Sequence, residues 1–220
     1  MTTRDQAIIN DLIKLGCMSR NDVAAIHFGE LKDPVRSANS VLKRLVRDGK
    51  IKRSRDFVPY VYFPIDSKIK ADSTKIPHFL EIVSVYKEMV RIQKPKVFLV
   101  EPKYGDKGDY MEPDVFAIWR GTPVFIEVQR TRVTEQTIKE KLERYEAFYE
   151  SELWKDEAWQ PKEKPIFPSV VLLCENKYGV KSDLLHFFEA RTISDVIRKP
   201  VDIKESQNII ISSSNIKVLR

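Results

Sequence analysis

Ala7, Ile8, Leu12, Ile13 and Leu15 recur at helical spacing, and Gly16 follows them as a stop. Ser19 reads as the cap of a second helix, with Asp22 three residues on and Val23, Ala24, Ile26 and His27 inside it. Asp33-Pro34 fits an N-cap followed by proline at the first helical position. That third helix carries Val35, Ala38, Val41, Leu42, Leu45 and Val46 inward and ends at Asp48-Gly49. Its other face is polar: Arg36, Ser37, Asn39, Ser40, Lys43, Arg44 and Arg47. Two short strand-like runs, 51–55 and 60–63, then flank Asp56-Phe57-Val58-Pro59.

Beyond residue 64 the pattern changes. Residues 65–76 are polar, are bounded by Pro64 and Pro77, and read as a linker or an extended crossing segment. Pro77 opens a helix with Phe79, Leu80, Val83, Met89 and Val90 as its apolar positions. Residues 96–100 form a strand, and 113–119 and 123–129 form an antiparallel hairpin about a tight turn. Thr134 caps an amphipathic helix to residue 150, with Ile138, Leu142, Tyr145, Phe148 and Tyr149 on one side. Residues 169–174 are apolar throughout, as a buried strand is. A further helix is expected over 181–190 and a last strand over 208–212. The expected class is α/β: a winged helix-turn-helix over 1–64, the linker, and an αβββαβ domain with a mixed sheet over 77–220. The strand after the crossover helix runs parallel to a neighbour.

Composition narrows the class. Of 220 residues, 42% are hydrophobic and 32% charged, enough apolar material for a packed core. No apolar run approaches the roughly 20 residues of a membrane span, and the N-terminus lacks a signal-peptide core. Cys17 and Cys174 stand in apolar surroundings, as structural thiols of a reducing cytoplasm do. A cytoplasmic protein without membrane contact is therefore expected.

Charge placement says more than its total. The net charge is +6, and residues 1–70 supply that excess with 14 Lys and Arg against 8 Asp and Glu. From Lys43 to Arg55 seven cations face one acid, Asp48. Such a cluster is an electrostatic footprint for double-stranded DNA. In a winged helix the third helix enters the major groove and the wing touches backbone or minor groove. Arg36, Ser37, Asn39 and Ser40 lie on that helix, and the last three are small enough to reach base edges. Lys43, Arg44, Arg47, Lys50, Lys52, Arg53 and Arg55 are placed for phosphates.

The candidate chemistry sits in EPDVFAIWRGTPVFIEVQR, residues 112–130. Strand alternation puts Glu127 and Gln129 on one side and Ile126 and Val128 on the other. The short turn brings Asp114 opposite Glu127. A charge in so apolar a strand costs several kcal/mol unless paired or ligated. Two carboxylates at one sheet edge suit a divalent cation such as Mg2+. The plainer alternative is that they cap turns or pair with Arg120, Arg130 or Arg132. Trp154 and Trp159 either stack on bases or pin a loop to the core.

The order helix, strand, Pro113-Asp114, Glu127-Val128-Gln129, helix resembles the PD-(D/E)xK nuclease superfamily over residues 77–175. The resemblance implies Asp114 and Glu127 as Mg2+ ligands. It places Gln129 where a catalytic lysine is usual, and Glu81 or Glu88 as an added helical acid. Arg130, Lys139 or Lys141 would have to supply the missing positive charge. A winged helix followed by PDVFAIW, FIEVQR and KEKLERYEAFYES is similar to the replication-relaxation family of plasmids and mobile elements. That implies a DNA-binding protein of replication, DNA relaxation or conjugative transfer, working with other replication or transfer proteins. Two alternatives stand beside it: a Mg2+-dependent endonuclease, and a transcriptional regulator whose C-terminal domain forms a homodimer.

Overall fold

The computed structural model describes residues 1–106, 108–161 and 163–198. The first three helices are α1 (Thr3–Leu15), α2 (Arg20–His27) and α3 (Pro34–Arg47). Three short strands, β1 (Met18–Ser19), β2 (Ile51–Ser54) and β3 (Val61–Pro64), form an antiparallel sheet in the order β1-β3-β2. Local chemistry explains the helix starts. Thr2 and Ser19 each accept a bond from the amide three residues on, while the Asp5 and Asp22 carboxylates accept one from the cap amide. Asp33 accepts from the Arg36 amide, with Pro34 at the first helical position. Gly16 ends α1 at φ 79°, and a Cβ there would stand 3.3 Å from Ile69 and Phe79. Glycine is needed on both counts.

The second sheet has five strands in the order β4 (Val97–Val100), β5 (Val115–Trp119), β6 (Thr122–Gln129), β7 (Ser169–Cys174) and β8 (Phe187–Ala190). β4, β5 and β6 are antiparallel, whereas β7 and β8 run parallel to β6, so the sheet is mixed. Arg120 and Gly121, both at positive φ, form the two-residue turn between β5 and β6. Helices α4 (Ile76–Ile92) and α6 (Ile193–Arg198) accompany one face and α5 (Glu135–Glu150) the other. The whole is mixed α/β, with six α-helices among the described residues, and none of them is long and apolar enough to cross a membrane.

The structure overturns one expected element and decides between two readings of another segment. Residues 181–190 do not form a helix; they are a loop that ends in β8. The outer edge of β7 presents backbone groups that would be left unpaired. The chain meets them: the Val170 amide donates to the His186 carbonyl, and Val170 pairs with Phe187. Ser182 meanwhile takes the Leu184 and Leu185 amides, which shapes the loop. The segment 65–76 is a packed crossing rather than a free tether. Lys52 donates to the Ser67 carbonyl, Ile69 packs on the core, and Ile76 is fully buried. The strand expected at 208–212 lies outside the described residues.

One apolar core joins the three-helix unit, α4 and the α4-side face of the large sheet. The α5 face holds a second, aromatic core around Phe116, Phe125, Tyr145 and Phe148. Polar ties cross the first junction. Lys87 of α4 lies 2.5 Å from Asp22 of α2, and Lys14 of α1 donates to the Tyr86 hydroxyl of α4.

Candidate functional site

The antiparallel register pairs Val115 with Ile126, so Asp114 stands opposite Glu127, as the sequence suggested. The alternation also holds: Ile126 and Val128 join the core beneath α4, while Glu127 points to α5. Asp114 Oδ2 accepts the Val128 amide at 2.7 Å, and Oδ1 lies 2.9 Å from His78 Nε2 in the first turn of α4. Glu127 is only 2% exposed. Its Oε2 is 2.6 Å from Lys141 Nζ, and its Oε1 accepts from the Tyr145 hydroxyl at 2.6 Å. Lys141 and Tyr145 lie four apart on α5, so one helix face delivers both partners.

Burial pushes the Glu127 carboxyl upward, and the nearby Asp114 charge adds to this; Lys141 and the Tyr145 hydroxyl oppose it. Burial and the Glu127 charge also drive the Tyr145 hydroxyl well above its ordinary range, so it remains a donor. His78 is raised by its bond to Asp114 against the opposing effect of burial. Its stabilising contribution is complete below the ordinary histidine value and is lost as pH rises through the higher folded value.

Other expected members of the site fall apart. Gln129 shares the Glu127 face of β6, but its amide donates to the Thr131 carbonyl at 2.8 Å. Lys141, rather than Gln129, therefore meets the second carboxylate. Lys139 pairs with Glu135 on the surface of α5, and Arg130 stands 3.9 Å from Glu81. Glu88 accepts the Ser194 amide and belongs to the α4–α6 contact, which leaves Glu81 as the helical acid near this edge. Among the described residues, no three His, Cys, Asp or Glu side chains gather as a metal-binding group. Trp154 is buried and donates to the Tyr149 carbonyl, and Trp159 packs on Phe116 at 4.7 Å. Both serve core packing. Cys17 and Cys174 are buried free thiols.

The cationic face is also sorted by the structure. Arg36, Asn39, Ser40, Lys43 and Arg47 are exposed on α3, at spacings that set them along one side of the helix. Arg36, Lys43, Lys50 and Arg55 have no side-chain partner among the described residues. Arg47 bonds its neighbour Asp48, Lys52 is tied to Ser67, and Arg53 covers the Tyr60 ring at 4.5 Å. Ser37 is half-buried, its hydroxyl donating to the Asp33 carbonyl. Arg44 departs from the expected phosphate role. Its guanidinium forks onto both oxygens of buried Asp5, at 3.1 and 2.7 Å, and clamps α3 to α1.

That clamp makes a prediction. The Arg44 bond holds the Asp5 carboxyl down at about 2. A free aspartate titrates near about 3.9. The stabilisation is thus present above the unfolded value and disappears as pH falls through the folded one. Arg44→Ala is expected to lower the Tm at neutral pH and to flatten its decline on acidification. A thermal melt series across the acid range checks this, and an unchanged acid limb would rule the clamp out.

No family model, curated protein or solved structure matches this chain.

Proposed function

We propose that this chain is a duplex-DNA-binding protein of a bacterial plasmid or other mobile element, acting in replication, DNA relaxation or conjugative transfer. Residues 1–64 act as a winged helix-turn-helix that finds the site. The following domain is a PD-(D/E)xK-like scaffold that holds DNA or partner proteins. The observation that carries the DNA reading is the α3 stripe of Arg36, Asn39, Ser40, Lys43 and Arg47, exposed along one side of a helix whose opposite side is core. Three cations along such a stripe meet phosphates, while Asn39 and Ser40 stand between them at groove depth. The turn between α3 and β2 adds Lys50, and the β2–β3 hairpin adds Arg55. The element order α4-β4-β5-β6-α5-β7 and the Asp114–Glu127 opposition support the scaffold assignment. The test is retardation of a random duplex pool across a salt series, followed by sequencing of the bound fraction. Affinity that falls steeply with salt is expected; absence of binding at low ionic strength ends the reading.

A second reading, a Mg2+-dependent endonuclease, is favoured by one distance: Lys141 Nζ lies 2.6 Å from Glu127 Oε2. A lysine on the helix thus supplies the cation that Gln129 cannot. The acid type suits the ion, because Mg2+ is commonly held by one or two carboxylates while it keeps several waters, and an ion would have to displace the Lys141 or Tyr145 contact of Glu127. Asp114 and Glu127 would hold it. When bound it would lower the pKa of a water and neutralise charge on a phosphate. Lys141 and Tyr145 keep Glu127 oriented, and His78 keeps Asp114 so. Supercoiled plasmid incubated with Mg2+ or Mn2+ is expected to be nicked or linearised under this reading, and Asp114→Ala to abolish it. Binding without cleavage in either metal removes the endonuclease and leaves the first reading beside that of a transcriptional regulator.

A further inference from the structure

The carboxyl ends of three neighbouring parallel strands, β6, β7 and β8, meet at one end of the large sheet. A cleft of about 380 Å3 opens there. Its floor is Cys174 and Ala190, the last residues of β7 and β8, and its rim includes Arg132, Lys177 and Arg191. Glu175 is the one acid in its lining. All three cations are exposed, and none has a side-chain partner among the described residues. Lys139, Lys141 and Arg130 of the same domain each stand beside a carboxylate, whereas the three cleft cations converge on one opening, with the Glu189 carboxylate near its Cys174 floor.

The cleft adjoins the carboxylate pair. Gln129, two residues beyond Glu127, is the register partner of Cys174. With a rise of about 3.3 Å per residue and a strand spacing of about 4.8 Å, the Glu127 and Cys174 backbones lie about 8 Å apart in the sheet. Open α/β sheets take ligands outside the carboxyl ends of their parallel strands. The walls carry no aromatic ring on which a base would stack. They offer two guanidinium forks and an ammonium, which suit phosphate oxygens.

We propose that this cleft is a second nucleic-acid contact, in which Arg132, Lys177 and Arg191 hold backbone phosphates of the duplex gripped by α3, beside the Asp114–Glu127 pair. The assignment rests on the DNA-binding reading above. It makes the large sheet a part of the DNA interface, and it extends the footprint beyond that of the three-helix unit.

The experiment compares wild type, the cleft variant Arg132→Ala/Lys177→Ala/Arg191→Ala, and the stripe variant Arg36→Ala/Lys43→Ala/Arg47→Ala on one selected duplex over a salt series. Each phosphate contact contributes roughly 0.9 to the slope of log K against log salt. The cleft variant is expected to keep its thermal melt and sequence preference while its slope falls by about 2 to 3. Its hydroxyl-radical footprint should also shorten at one end. Arg132→Lys/Arg191→Lys, which keeps the charge, should restore most of the slope. A well-folded cleft variant with unchanged slope and footprint overturns the proposal. So does saturable binding of a nucleoside monophosphate in the cleft that leaves duplex binding untouched. No duplex binding by wild type removes the DNA reading itself; an unchanged slope in both variants moves the interface away from both surfaces and overturns the cleft; binding lost only in the stripe variant removes the cleft alone.

Discussion

Replacing Arg36, Lys43 and Arg47 together with alanine is expected to weaken duplex binding by about two orders of magnitude near physiological salt, and to lower the salt slope by about 3. The three side chains are exposed, and the helix buries Ala38, Leu42 and Leu45 on its other side, so the fold should be unaffected. Arg47 bonds only the exposed, adjacent Asp48, a contact of the kind that contributes little. The loss should be nearly uniform over sequences, because phosphates carry no base information. Asn39→Ala and Ser40→Ala should instead relax sequence preference with little change in slope. Fluorescence anisotropy on matched and scrambled duplexes separates the two effects. Full affinity in the triple variant would move the DNA interface away from α3.

Lys141→Met is expected to destabilise the protein by about 2–3 kcal/mol at neutral pH. Breaking a buried ion pair from one side costs about 3–5 kcal/mol, because the remaining charge is left in a poor environment. The lower figure applies because the Lys141 side chain is 35% exposed and water reaches its end of the pair. The pH dependence follows from Glu127, whose folded pKa is already raised, chiefly by burial. Removing Lys141 raises it further. A group with a raised folded pKa favours folding below its unfolded value, and that contribution is lost as pH rises through the folded one. The defect of Lys141→Met should therefore be large at neutral pH and shrink on acidification as Glu127 takes up a proton. Glu127→Gln in the same background should remove most of the defect, since a neutral amide still accepts from Tyr145. Urea unfolding at neutral and mildly acidic pH measures each step. A pH-independent defect, or no rescue, would show that the pair does not govern this buried carboxylate.

The elements that were legible share a local cause. Ser19 and Thr134 cap their helices through their own side chains, and Asp33-Pro34 sets the start of α3. The two-residue turn fixed the β5–β6 register, so the opposition of Asp114 and Glu127 followed from turn length alone. The faces of Glu127 and Val128 followed from strand alternation. At residues 181–190 local reasoning failed. Helical spacing was present, but the unpaired edge of β7 took Phe187 and Phe188 into a strand.

The candidate sites divide in the same way. The α3 stripe could be read directly, because a helix with one apolar side presents the other to solvent. The fates of individual cations could not. Arg44 is three residues from Arg47 and looks the same in sequence, yet it is fixed by Asp5, 39 residues away. Neither His78 nor Tyr145 could be assigned to a carboxylate before α4 and α5 were laid on opposite faces of the sheet. Sequence by itself determined the caps, the hairpin register, the cationic cluster and the pair of acids in an apolar strand. Tertiary structure alone decided which charges are neutralised inside the protein and which remain for a ligand. Ion pairing depends on distances between segments remote in the chain, and only their packing sets those distances.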